Sequence, residues 1–246
     1  IVFYGSIYKD KEFTMFKPDD NNFEQSHFAA VLALTKENLE KYRKEEKALS
    51  DELYTLLETY GAKDIEALSM IDNLQVMYER AQHEAARAER ARQKPFFGRI
   101  DFVDDKHKSN DTIYIGKVGI SRDVTHLEVI DWRAPVANSY YESHIGEVTY
   151  SVPGEGSFVI DLKKKRTYEI KDDTLLSFFD SDVVANDELL NRYLSQNKKA
   201  VLGEIIATIQ KEQNDIIRQS PYKSIIVQGA AGSGKTTVAM HRISYI

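Results

Sequence analysis

Residues 32 to 88 constrain this chain more than any other stretch. Leu32, Thr35, Leu39, Tyr42, Glu46, Leu49, Leu53, Leu56 and Tyr60 recur at alternating spacings of three and four. That is the heptad seam of a helix lying against another helix. The pairs Glu37/Lys41 and Glu40/Lys44 stand on its outer positions in the order that favours attraction along a helix. "YGAKD" then breaks the pattern: Gly61 suits a helix C-terminus and Asp64 can cap the next start. A matching seam follows, Ala67, Ile71, Leu74, Tyr78, Ala81, Ala85 and Ala88, ending near Lys94-Pro95. Two helices of about 30 residues joined by so short a turn predict an antiparallel coiled-coil hairpin about 45 Å long. It occupies residues 23–94, and residues 1–22 before it receive no assignment.

Beyond the hairpin the period shortens toward two. "DTIYIGKVGI", "THLEVIDW", "GEVTYSV", "SFVIDL" and "RTYEI" predict short strands, with turns at "PGEG" and "KKK". They make a small antiparallel β domain over 95–185. Asp187 to Arg218 return to helix in two pieces around Asn197-Lys198-Lys199, and Ser220-Pro221 stops them. "SIIVQ" reads as a buried strand leading into a glycine loop and a helix from Lys235. The fold class expected is α+β leading into α/β, with 186–246 as the start of a RecA-like P-loop NTPase domain.

The glycine loop carries the chemistry. Gly229-Ala230-Ala231-Gly232-Ser233-Gly234-Lys235-Thr236 fits G-x-x-x-x-G-K-[ST] in full. Its glycines let successive N–H groups curl around a phosphate, and the helix behind presents a partially positive N-terminus. Lys235 supplies charge for the β- and γ-phosphates, Thr236 a hydroxyl for Mg²⁺, and Thr237 completes the expected nucleotide contacts. The site predicts a nucleoside triphosphate with Mg²⁺.

Composition narrows the alternatives. A formal net charge of −6 argues against coating nucleic acid by bulk charge. The chain has no cysteine, which removes disulfides and thiolate metal sites, and its six histidines show no ligand spacing. No apolar run approaches the roughly 18 residues of a membrane span. A cytoplasmic monomer without membrane contact is expected.

"QNDIIR" (213–218), a short gap, "GAAGSGKT" and "VAMHRI" together resemble superfamily 1 helicases of the UvrD/Rep kind. In that group a glutamine ahead of the loop reads adenine, so the resemblance implies that Gln213 specifies ATP. "PFFGRIDF", "YIGKVGI", "VIDWRAPVANSYYE", "DELL" and "IIATIQKEQNDIIR" occur in an order similar to the amino-terminal half of the HelD family. The likeness covers roughly residues 60 to 246. It implies an ATPase that binds and recycles bacterial RNA polymerase, with the hairpin as a probe. The turn at "TYGAKD" is short and carries little negative charge, which does not support an acidic tip.

The motor residues needed for hydrolysis lie downstream of the loop in such proteins. The chain therefore reads as the amino-terminal part of a motor, inactive alone, that meets DNA mainly through other domains. The alternative is a conventional 3′–5′ DNA helicase with the hairpin as accessory. "DWRAP" reads as a packing corner in which Trp132 is buried, Arg133 pairs with a carboxylate and Pro135 ends the strand. Lys163 to Lys165 with Arg166 read as a solvated hairpin turn. Arg80, Arg87, Arg90, Arg92 and Arg99 read either as a solvated helix face or as a contact for polymerase or nucleic acid.

Overall fold

The computed structural model describes residues 16–18, 20–60, 65–104, 109–123, 125–142, 144–180, 211–230 and 232–246. Two long helices come first, α1 (Asn21–Tyr60) and α2 (Ile65–Gln93). α1 starts about three turns ahead of the seam because Asp20 caps it. The Asp20 carboxylate accepts the Phe23 N–H at 2.7 Å and its carbonyl accepts the Glu24 N–H. The helices run antiparallel: Arg43 pairs with Glu89, while Leu49, Leu53 and Leu56 pack with Leu74, Tyr78 and Ala81. Every seam residue except Tyr60 is buried or half-buried. The bend at Gly61–Asp64 lies outside the described residues.

Seven strands follow: β1 (Gly98–Asp104), β2 (Ser109–Gly116), β3 (Ile120–Ser121), β4 (Leu127–Asp131), β5 (Gly146–Val152), β6 (Gly156–Lys171) and β7 (Thr174–Asp180). They form one sheet in the order β3-β4-β2-β1-β6-β5, with β7 also on β6. The sheet is mixed rather than antiparallel as the sequence suggested. The chain leaves β2 for the edge strand β3, and β4 reverses into the gap between them, so β4 runs parallel to β2.

The "KKK" turn is a second correction. "SFVIDL" and "RTYEI" belong to one 16-residue strand, β6, and Lys163 to Arg166 lie inside it. Phe102 faces Leu162 and Asp101 faces Lys164, which leaves Lys163 as an extra residue, a β-bulge. The inserted residue reverses which face later side chains occupy. Ile160 and Leu162 point to one side of the sheet, Tyr168 and Ile170 to the other. A lysine run without apolar alternation imitates a turn when read linearly, yet Lys165 and Arg166 are buried.

The two faces hold different cores. Phe28, Val31 and Ala91 from the base of the hairpin pack on Phe96, Tyr114, Val129 and Tyr168. On the other face, Ile100, Ile115, Ile130 and Leu162 meet a 3₁₀ helix (Pro135–Tyr141) and two short helices, α3 (Lys211–Ile217) and α4 (Lys235–Tyr245). Ile217 and Val238 carry those helices into the core. "DELL" and the predicted helix up to 210 lie outside the described residues.

A buried ionic cluster locks the hairpin to the sheet. Glu24 accepts hydrogen bonds from Arg99 at 2.6 Å, Arg166 at 2.9 Å, Tyr114 at 3.1 Å and Tyr168 at 2.8 Å. Asp101 holds Arg99 through two nitrogens, and Asp180 does the same for Arg166. Burial opposes the charge on Arg99, but the Asp101 hydrogen bond and charge prevail and hold its pKa above the usual value. Burial and the Glu24 charge push both tyrosine hydroxyls up. Arg99 uses all five of its N–H donors and Glu24 accepts four hydrogen bonds, so these charges tolerate burial.

Candidate functional site

α4 emerges directly from the glycine loop. Gly232 and Gly234 take φ values of 80° and 83°, left-handed conformations that glycine adopts without a Cβ clash. Gly234 is the N-cap of α4 and makes no side-chain cap bond, so the first N–H groups of the helix face the loop. Lys235 folds back over it, donating to the carbonyls of Gly229 at 2.8 Å and Ala230 at 2.6 Å, with Ser233 Oγ at 3.4 Å. Ser233 N–H donates to the Ala230 carbonyl at 3.3 Å. Thr236 and Thr237 are exposed on the first turn, and Ala231 lies outside the described residues.

The structure brings Gln213 to this loop. A Cβ on Gly234 would stand 3.1 Å from Gln213 Nε2, so the amide lies against the backbone at the mouth of the loop. α3, which carries Gln213, is fixed from both sides. Arg242 of α4 donates to the carbonyls of Ile216, Ile217, Gln219 and Ser220, which caps the C-terminus of α3. Asn214, almost wholly buried, donates to Asn138 of the 3₁₀ helix and accepts from Arg218 Nε at 3.0 Å.

Arg218 in turn donates to the Trp132, Arg133 and Ala134 carbonyls and lies over the Trp132 and Tyr245 rings. Burial pulls its pKa below the ordinary arginine value. The "DWRAP" corner is thus a mount for α3 and α4. Asp131 holds Arg133 at 2.8 and 2.6 Å, and Pro135 opens the 3₁₀ helix after β4 has ended. Trp132 is half-buried, against an expectation of full burial, because His241 and Tyr245 cover only part of the indole.

The predicted strand at Ser224–Gln228 is not formed. Residues 224–228 pair with no strand among the described residues, and Ile226 is 89 % exposed. A buried strand needs neighbours for its N–H and C=O groups, and apolar composition does not provide them. Asn214, Arg218 and Arg242 were not singled out in the sequence as positioning residues. Their signal was present in "QNDIIR" and "HRI", where polar side chains interrupt apolar helix positions. Of the basic stretch, Arg99 is wholly buried and Arg92 pairs with Glu89 and Asp173.

A helical hairpin mounted on one face of a curled mixed sheet, with a glycine loop and its helix on the other, defines an α+β protein. The family model for the N-terminal domain of the DNA helicase IV HelD matches residues 22–197. The chain belongs to that family. A comparison with curated proteins finds no match. The family match ends before Gln213 and the glycine loop, so the reading of those residues rests on their own geometry. No helix among the described residues is long and apolar enough to cross a membrane.

Proposed function

We propose that this chain is the probing arm and the ATP-binding entrance of a HelD-type motor that acts on bacterial RNA polymerase. The observation that carries the nucleotide half is the approach of Gln213 Nε2 to Gly234 beside a loop whose lysine lies over its own carbonyls. The donor set fits a nucleoside triphosphate: two positive-φ glycines, a helix N-terminus, an ammonium and a hydroxyl. Lys235 exchanges its carbonyl partners for phosphate oxygens, Thr236 offers its hydroxyl to Mg²⁺, and Gln213 donates to and accepts from the adenine edge. Bound ATP supplies the free energy of hydrolysis to the motor.

The polymerase half rests on the outer part of the hairpin. Tyr54 (66 % exposed), Met70 (56 %) and Val76 (66 %) are large apolar side chains left in water. With Leu57, Tyr60, Leu68 and Met77 they concentrate exposed apolar side chains between residues 54 and 77, which supports an interaction surface there. DNA unwinding is the second reading, favoured by the name of the matched family.

A pair of measurements tests the proposal. A fluorescent ATP analogue should bind the chain with Mg²⁺ and lose affinity at least about tenfold in Lys235→Ala. Co-elution with bacterial core RNA polymerase should disappear when residues 48–80 are replaced by a short Gly/Ser turn. That replacement spares Phe28, Val31 and Ala91, which the sheet core needs. Co-elution that survives the replacement removes the hairpin as the probe, and binding unaffected by Lys235→Ala removes the loop as the ATP site.

A further inference from the structure

A cleft of about 570 Å³ is bounded by the base of α2, the β2–β3 turn, the "DWRAP" corner and the far end of α4. Arg87 and Arg90, three positions apart on one side of α2, enter it from that helix, and Lys94 follows directly after the helix end. Lys117 faces them from the β2–β3 turn and is exposed. Phe97, Trp132 and Tyr140 form an aromatic wall. Its lining residues include five Lys or Arg and, among the described residues, no carboxylate. Arg87 has Glu84 at 3.1 Å and Arg133 has Asp131, while Arg90 and Lys117 hold their charges on exposed side chains at the cleft. Arg90 uses its Nε on the Ala86 carbonyl of its own helix.

A chain with net charge −6 has gathered cations around one concave site. A concave low-dielectric site lined by one sign of charge focuses the potential on its ligand. Phe97 and Trp132, half-buried beside the cations, offer planar stacking surfaces. Anions alone need no aromatic wall, and apolar ligands need no cations. The volume suits one or two nucleotide units rather than a protein segment.

We propose that this cleft is a second nucleotide-binding site, separate from the glycine loop, that takes a nucleobase linked to phosphate. The base stacks against Trp132 and Phe97, and the phosphates meet Arg90 and Lys117. The site stands apart from the loop. His241 and Ser244, which reach the cleft, follow Lys235 by six and nine positions, about 9 to 14 Å along the helix at 1.5 Å per residue. The ligand is either a free nucleotide or a unit of a single strand, and both share this chemistry.

Trp132 is the one tryptophan of the chain, so its fluorescence reports on this cleft directly. The whole 246-residue chain is titrated with AMP and with a single-stranded thymidine hexamer, with inorganic phosphate as control. Saturable quenching by a nucleotide, weakened at least about tenfold in Arg90→Glu with Lys117→Glu, and by added salt, is the expected result. Both substitutions are on exposed side chains, and circular dichroism checks that the double variant folds. Quenching in Lys235→Ala should match the parent, which separates this site from the loop. Tighter binding of the hexamer identifies a strand as the source, and equal or weaker binding identifies a free nucleotide. Absence of saturable quenching, quenching indifferent to the charge reversals, equal quenching by phosphate, or loss in Lys235→Ala overturns the proposal.

Discussion

Gln213 and Gly234 are neighbours across the loop: a Cβ on Gly234 would stand 3.1 Å from the Gln213 amide nitrogen. Twenty-one positions apart in sequence, they are joined because Arg242 and Arg218 clamp α3 between α4 and the "DWRAP" corner. The clamp places an amide, able both to donate and to accept, beside the glycine loop that we propose cradles phosphate. Gln213→Ala should therefore weaken ATP about three- to tenfold, the value of one hydrogen bond, and leave GTP unchanged. Competition binding with the two nucleotides reads the ratio, and an equal loss for both would remove the base-reading role.

Removing Glu24 should be costly. Glu24→Ala leaves Arg99 and Arg166 facing each other without their shared carboxylate, in a site where Glu24 and Arg99 are both fully buried. Losing one partner of a buried ionic group costs about 3–5 kcal/mol. Urea unfolding followed by circular dichroism should show a midpoint far below that of the parent. Asp101 and Asp180 remain, so a loss under about 1 kcal/mol would mean that they suffice to hold both guanidinium groups.

His27 should make the fold acid-sensitive. It stacks on Tyr114 with ring centroids 4.0 Å apart, and its Nε2 is buried with no partner. Burial first, then the charges of Lys17 and Arg99, lower its pKa to about 3. The unfolded residue titrates near 6.5, so between those values the unfolded chain holds the extra proton. Stability from this group is complete above about pH 6.5 and falls as pH drops toward 3, at up to about 1.4 kcal/mol per unit. His27→Phe keeps the stack and should flatten that part of the pH–stability curve. An unchanged slope would assign the acid sensitivity to other groups.

Two glycines of the β2–β3 region should respond differently to alanine. A Cβ on Gly116 would meet the Pro95 carbonyl oxygen at 2.5 Å and Val129 at 2.9 Å. Backbone cannot give way there, so Gly116→Ala should destabilise by about 1–3 kcal/mol. A Cβ on Gly119 would have nothing nearer than 3.5 Å, so thermal unfolding of Gly119→Ala should be close to that of the parent.

The helical hairpin was legible because its information is local: heptad spacing over 32–60 and 67–88 selects helices whose seams must meet. The glycine loop was legible for the same reason, since its φ values and its helix follow from adjacent residues. "GEVTYSV" gave β5 with its bounds intact. Sheet pairing was not legible in this way. Whether β4 lies parallel to β2, and whether "KKK" is a turn or a bulge inside β6, depends on partners far off in sequence. "SIIVQ" shows the same limit from the other side, since its composition suits a strand and no partner among the described residues pairs with it.

Sequence by itself determined the elements with a short repeat or a fixed backbone demand: two seam-matched helices, alternating strands, and a loop of glycines followed by Lys235 and Thr236. Only the tertiary structure decided that Arg99 and Arg166 are interior charges around Glu24, that Arg218 and Arg242 position Gln213, and that Arg90, Lys94 and Lys117 share a cleft with Trp132. The physical reason is common to all three. A charge's role is set by what surrounds it in space, and burial, partner and field come from residues that periodicity along the chain does not connect.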